Sequence, residues 1–423
     1  MLVMFRCKNF SSFRDEVVLD MRATSYTQHP SHIIKHDSVN LLKTLAIYGA
    51  NASGKSNLIS AMHWYERIIF SHLFQGNQSE HMNEELDSRK LTSIQPFLLS
   101  ENNDSCIELE MVFLHQNKLF QYGFSIQESL ILSEWLTVDN TNVFDRDNKG
   151  ISFGKKYEAQ LKNFKKYRED RLYLSVLDYF ATDEMKETVD CFKDYFRNRF
   201  NVHFELILES SIKGTVDSWS HSKRLVQDDM FRSKVAEYIR KIDVGIDDIK
   251  IEKEWVLNKK TGQKEQEPLI KTIHSVYNEA GLRVGSKAFD LPQESSGTLR
   301  FLSFIQEILT LIEKGGVFVI DELSARLHPL LTKFIVDIFQ SDKNQNQAQL
   351  IFTTHDTSIL NKDQFRRDEI LFVDKNEFGA STIYSLADLK TVRQDATYNK
   401  DYFSGKYGAI PIFQSAENGN GGD

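Results

Sequence analysis

Cysteine is scarce in this chain: 423 residues hold only Cys7, Cys106 and Cys191, scattered with no ligand spacing. That excludes a disulfide framework and a cysteine-based zinc site, and the three are expected to be buried, reduced thiols of a cytoplasmic protein. No apolar run approaches the ~18 residues of a membrane span, so no membrane role is expected. The N-terminus runs straight into a strand-like stretch containing Arg6 and Lys8, without the apolar core of a signal peptide. Excess positive charge is lacking too. A net charge of −8 argues against wholesale coating of nucleic acid, though not against a local basic groove. Proline is missing from 155–245, and no internal repeat is evident. What the chain does have is apolar content: 41% hydrophobic residues can build the core of one large head with an insertion, or of two domains.

Against that background the stretch Gly49-Ala50-Asn51-Ala52-Ser53-Gly54-Lys55-Ser56 stands out as a G-x-x-x-x-G-K-[ST] phosphate loop. Leu45–Tyr48 before it reads as a buried strand, and Asn57–Met62 after it as the start of a helix, which is the context the motif needs. The glycines let the backbone curl so that its N–H groups surround phosphates, and the helix N-terminus adds its positive dipole end. Lys55 is expected to reach the β- and γ-phosphates and Ser56 to ligate Mg²⁺. Gly49, Asn51, Ala52, Ser53, Gly54, Lys55, Ser56 and Asn57 are therefore the candidate ATP-binding residues.

Farther along, Val317-Phe318-Val319-Ile320 has the composition of a strand buried on both faces, and Asp321-Glu322 end it where ligands bind in open α/β sheets. Asp321 would hold the Mg²⁺ shell, and Glu322 would orient or deprotonate the attacking water. A second buried strand, Gln349–Thr354, ends in His355-Asp356; His355 at that place can contact a γ-phosphate. Between them Glu294-Ser295-Ser296-Gly297-Thr298 opens an amphipathic helix with Leu299, Leu302, Ile305, Ile308, Leu309 and Ile312 at helical spacing. A small-residue turn there is either a second anion site or a plain N-cap.

The order phosphate loop, Ser-x-Gly signature, Asp-Glu strand, Leu323–Pro329 loop and His355 resembles the ABC-type ATPase head, in the branch of RecF, SMC and OLD proteins. More narrowly it is similar to stand-alone bacterial ATPases of the RloA/AbiL type. The opening Phe5-Arg6-Cys7-Lys8-Asn9-Phe10-Ser11-Ser12-Phe13 carries that likeness. So do the closing stretches Arg367–Lys375 and Tyr402–Pro411. The resemblance covers 1–135 and 285–413; the middle matches loosely. It implies an α/β ABC-type P-loop head, with a mixed sheet, flanking helices and an antiparallel β-lobe, plus a helical insertion. It also implies a head-to-tail homodimer in which Ser295, Ser296 and Gly297 of one copy cover the γ-phosphate held by the other. Gln95, before Pro96, could touch Mg²⁺ in the Q-loop role or be a strand-edge residue. Proteins of this type act beside an effector protein in two-component anti-phage systems such as PARIS and Septu. The segment after His355 matches the closing motif of the subfamily, not the TOPRIM nuclease domain of OLD proteins.

Three regions follow: 1–154 as the N-terminal lobe, 155–248 as a lid-like helical insertion, and 249–423 as the C-terminal lobe. Residues 1–21 are expected as strands on the edge of the nucleotide sheet and 76–92 as a polar, acidic loop. Ile107–Phe113 and Phe120–Ile126 alternate as a hairpin around a turn at His115–Lys118. Phe192, Tyr195, Phe196 and Phe200 fall at helical spacing and make an aromatic stripe expected to pack in a core rather than stack on bases. Turns are expected at Asn258–Gln263 and Asn278–Gly281. The basic run Lys162, Lys165, Lys166, Arg168 and Arg171 reads first as a solvated face. As a nucleic-acid contact it would favour the alternative function, a RecF/SMC-like DNA-repair ATPase.

Overall fold

A computed structural model describes residues 1–37, 39–74, 94–101, 105–203, 222–243, 245–257, 264–390, 392 and 396–411. The loop expected at 76–92 and the turn expected at Asn258–Gln263 lie outside the described residues. In chain order come β1 (Leu2–Lys8), β2 (Val17–Asp20), β3 (Ile33–Ile34), β4 (Leu41–Leu42), β5 (Thr44–Tyr48), α1 (Lys55–Leu73), β6 (Ile107–His115), β7 (Lys118–Gln127), β8 (Leu130–Val138), β9 (Thr141–Asp147) and β10 (Gly150–Phe153). Then follow α2 (Glu158–Leu161), α3 (Leu174–Phe180), α4 (Asp183–Asn198), β11 (Phe200–His203), α5 (Lys223–Gln227), α6 (Asp229–Ile242), β12 (Ile246–Leu257), β13 (Lys264–Tyr277) and β14 (Arg283–Asp290). The last are α7 (Ser296–Lys314), β15 (Val317–Ile320), α8 (Pro329–Gln340), β16 (Gln349–Thr353), β17 (Ile370–Lys375), β18 (Ser381–Ser385) and α9 (Tyr398–Phe403). The chain divides into two compact units: Met1–Phe204 with Gly315–Leu323 and Ile338–Asp423, and Glu205–Lys314 with Ser324–Asp337.

The first unit holds two large sheets. A six-stranded sheet runs β11-β15-β16-β5-β17-β18, parallel from β11 through β17, with β18 antiparallel at its edge. All residues of β5, β15 and β16 are buried, as the unbroken apolar runs require of strands covered on both faces. One strand, β16, separates the phosphate-loop strand from the Asp-Glu strand, and their carboxyl ends share one edge. The second sheet is antiparallel, β10-β9-β8-β7-β6-β1-β2. Its central hairpin closes His115 against Lys118 through Gln116 (φ 48°) and Asn117 (φ 61°), two left-handed residues whose twist suits a two-residue turn. Helix α1 shares a core with both sheets: Tyr65 stacks on Phe124 at 5.3 Å, and Leu58, Ile59 and Met62 are fully buried.

Two expectations are corrected here. Residues 1–21 form β1 and β2, but these belong to the antiparallel sheet rather than to the nucleotide sheet. The aromatic stripe does pack in the core, with Phe113 on Tyr195 at 4.1 Å, yet Phe200 is not part of the helix. Helix α4 ends at Asn198, and Phe200 begins β11, which lies parallel to β15. A four-residue strand directly after a helix is too short for periodicity to separate. The 155–248 stretch is thus not wholly helical, and its residues up to 203 belong to the first unit. In the basic run, Arg168 pairs with Asp170, Arg171 donates to the Ser71 carbonyl, and Lys162, Lys165 and Lys166 are exposed.

In the second unit, α6 is N-capped by Asp228, whose carboxylate accepts from the Phe231 N–H at 2.9 Å. Its buried face, Phe231, Val235 and Ile239, follows the helical period. Strands β12, β13 and β14 form an antiparallel sheet, with the turn at Asn278–Gly281 joining the last two.

Candidate nucleotide site

The loop after β5 curls because its glycines have no room for a side chain. A Cβ on Gly49 would lie 2.3 Å from the Val373 carbonyl oxygen of β17. Gly54 has φ +114°, and a Cβ there would lie 2.5 Å from Ser381 Oγ. The loop is braced from outside. Ser381 Oγ donates to the Ser53 carbonyl at 2.6 Å and lies 2.8 Å from Ser12 Oγ, and Asn57 Nδ2 donates to Ser12 Oγ at 2.8 Å. The turn Phe10–Phe13 and the edge strand β18 therefore meet at the phosphate loop, which gives the opening motif a physical connection to it, while the closing stretch reaches it through Val373 at Gly49. Neither Ser12 nor Ser381 was singled out from sequence; Ser12 lies within the opening motif, whereas Ser381 falls between the two closing stretches and carried no signal.

A cavity of about 590 Å³ opens over the loop, within the ordinary range for a small-molecule site. It is lined by Asn51, Ala52, Ser53, Gly54, Lys55, Ser56, Asn57, Glu322, His355 and Lys375. Lys55 is buried at the start of α1 and donates to the carbonyls of Gly49 (3.0 Å) and Ala50 (2.9 Å). Burial pushes its pKa down to about 8, against the pull of Asp321 and Glu322. An incompletely solvated ammonium of this kind is stabilised by an incoming anion.

Opposite it, Thr353 at the end of β16 organises the acidic pair. Its hydroxyl donates to Asp321 Oδ1 at 2.6 Å and accepts from the Glu322 N–H at 2.7 Å. Glu322 has φ +51°, a costly conformation for a non-glycine residue, held here by that contact. Its carboxylate lies 4.0 Å from His355 Nε2. Burial and the Lys55 charge hold the His355 pKa below the usual range, with Glu322 and Asp321 acting in the opposite sense. Thr353 was within a predicted strand but had no predicted role.

Asp321 and Gly49 are not among the lining residues. Gln95 is exposed; its carbonyl accepts from the Ser11 N–H at 2.8 Å, and its side chain is not part of the lining. For Mg²⁺ the donor chemistry fits: Ser56 and Asp321 offer hard oxygens, and a magnesium site of this type is completed by phosphates and water. Among the described residues no group of three or more His, Cys, Asp or Glu could hold a metal ion.

The signature residues belong to the second unit. Ser295 Oγ accepts from the Thr298 N–H at 3.1 Å, so Ser295 is the N-cap of α7. Thr298 Oγ1 contacts Ser295 Oγ and donates to Asp243 Oδ2, both at 2.8 Å. Ser295 and Ser296 are exposed. A Cβ on Gly297 would lie 3.1 Å from the Arg326 carbonyl, so glycine lets the Leu323–Pro329 loop approach.

Residues 45–361 match the family described as "AAA domain, putative AbiEii toxin, Type IV TA system". The chain belongs to this family. As a member of that AAA family it is a nucleotide-binding P-loop ATPase. Among solved structures it is similar to an SMC head bound to the C-terminal winged-helix domain of ScpA (14% identity, 91% of this chain and 97% of the other, TM-score 0.48). It is also similar to the SMC head domain from Thermotoga maritima (14%, 91% and 98%, TM-score 0.42). A third is the SMC head with an extended coiled coil from Pyrococcus furiosus, bound to the C-terminal domain of ScpA (12%, 96% and 98%, TM-score 0.44). No curated protein matches the AAA-family chain. No described helix is long and apolar enough to cross a membrane.

Proposed function

We propose that this chain is a Mg²⁺-dependent ATPase that pairs head-to-tail on ATP and regulates an effector protein in anti-phage defence. The observation that carries the chemical part is the cavity that joins the phosphate loop to Glu322 and His355. In it Lys55 and the loop N–H groups bind the β- and γ-phosphates. Ser56 and Asp321 hold Mg²⁺, which supplies charge neutralisation at the phosphates. Glu322 accepts the proton of the attacking water, and His355 contacts the γ-phosphate. The pairing reading is supported by the turn Ser295-Ser296-Gly297 on a helix N-terminus, whose two serines are exposed and where a second copy's γ-phosphate can be met. The defence reading is supported by the motifs shared with RloA/AbiL-type proteins and by the toxin–antitoxin context in the family description.

The chain should be expressed alone and with its neighbouring gene, with and without phage challenge. Protection is expected only with both genes and an intact Lys55. Full protection by the lone chain would overturn the two-component reading. Tight binding of DNA by the purified chain, abolished by substituting the exposed Lys162, Lys165 and Lys166, would favour the repair-type alternative.

A further inference from the structure

Lys375 lines the cavity together with the phosphate loop, yet no motif gives it a role. It is the last residue of β17, with an exposed side chain. Its neighbours fix that strand end against the loop. Lys375 pairs in register with Ser381, whose hydroxyl donates to the Ser53 carbonyl, and the Val373 carbonyl two residues earlier packs against Gly49. A solvated surface lysine is the ordinary expectation for a strand end. Against it stands the lining itself, where Lys55 and Lys375 are the two lysines and Glu322 the single carboxylate.

The sheet order says which part of a nucleotide Lys375 faces. Across the carboxyl edge come Glu322 after β15, His355 after β16, the phosphate loop after β5, and Lys375 on β17. Glu322 and His355 thus stand on one flank of the loop and Lys375 on the other. Hydrolysis needs the terminal phosphate beside Glu322, so the α-phosphate end of the polyphosphate runs toward β17.

We infer that Lys375 is a nucleotide-contacting residue that grips the α/β-phosphate end of the bound nucleotide. This rests on the proposed ATP site and adds to it a contact that ATP and ADP share. The test is the affinity of fluorescent ATP and ADP analogues for wild type, Lys375→Met, Lys375→Arg and Lys55→Ala, with circular dichroism to check folding. Lys375→Met should weaken ATP and ADP by the same factor, about tenfold, as for loss of one charge-assisted hydrogen bond. Lys375→Arg should keep most of the affinity. Unchanged binding by a folded Lys375→Met, when Lys55→Ala has lost binding, overturns the inference and leaves the site intact. Loss for ATP alone moves Lys375 to the γ-phosphate and overturns the assignment to the α/β end. Absence of binding by wild type, or full binding by Lys55→Ala, overturns the ATP site itself. If Lys375→Met misfolds, the charge-keeping Lys375→Arg against Lys375→Gln makes the same comparison.

Discussion

Glu322 is held in a left-handed backbone conformation by the same threonine that orients Asp321, so one hydroxyl aligns the two carboxylates proposed for Mg²⁺ binding and for catalysis. Thr353 bonds the Glu322 main chain, which leaves the carboxylate to face the cavity beside His355. Replacing that carboxylate by an amide preserves shape but removes the proton acceptor. Glu322→Gln should therefore bind ATP as wild type does and turn it over about 100-fold more slowly, or worse. Steady-state phosphate release measured beside nucleotide affinity checks this; turnover at the wild-type rate would remove Glu322 from the role of base.

At the scale of elements, the phosphate loop depends on two segments that never line its cavity. Ser381 on β18 and Ser12 in the turn after β1 hold it from behind, and both hydroxyls are nearly buried. Ser381→Ala leaves the Ser53 carbonyl and Ser12 short of a partner. It should cost about 1–3 kcal/mol of stability and weaken ATP binding without touching the nucleotide. Denaturant unfolding and ATP titration measure the two effects; wild-type values in both would show that the brace is idle.

Helix α1, which starts at the loop, carries a pH dependence at its other end. His72 accepts from the Leu172 N–H through Nδ1, and burial with the Arg171 charge pushes its pKa down to about 4. The unfolded histidine titrates near 6.5, so between these values the unfolded chain binds the extra proton. Stability is full above pH 6.5 and falls as pH drops toward 4, by up to roughly 3 kcal/mol from this residue. His63, also pushed down to about 4, acts in the same direction. His72→Asn keeps an acceptor that cannot titrate, and its melting temperature should fall less steeply over that pH range.

The elements most legible in sequence were those whose pattern is local. Buried strands β5, β15 and β16 announce themselves as apolar runs, and the β6–β7 hairpin as alternation around a two-residue turn. The loop glycines are legible because the chemistry of phosphate binding fixes their spacing. What escaped was set by distant pairing. Phe200 continues a helical stripe in sequence, yet parallel pairing with Val317 makes it a strand residue. Thr353, Ser381 and Lys375 reach the site only because strands far apart in the chain meet at one edge of the six-stranded sheet, and Ser12 arrives there from the turn after β1 of the antiparallel sheet.

At the scale of the whole molecule, the proposed function requires two copies. One copy offers a phosphate loop in its first unit, and the signature turn of its second unit is proposed to act on the ATP of a partner. Substituting Ser295 would blur the test, because its hydroxyl caps α7 and its loss alone costs about 1 kcal/mol. Ser296 is exposed and leaves the cap in place, so Ser296→Arg is the cleaner block. Alone, it should bind ATP but not turn it over, since a bulky cation stands where a γ-phosphate must approach. Lys55→Ala alone should do neither. In a mixed pair one composite site carries both defects, while the other joins an intact loop to an intact signature. If the sites act independently, each mixed pair should recover about half the wild-type rate. Activity that rises on mixing, peaking near equal amounts, is the expected result. Full turnover by Ser296→Arg alone would exclude the turn from catalysis. A flat baseline at every ratio, with the two surfaces failing to crosslink in the presence of ATP, would exclude the shared site.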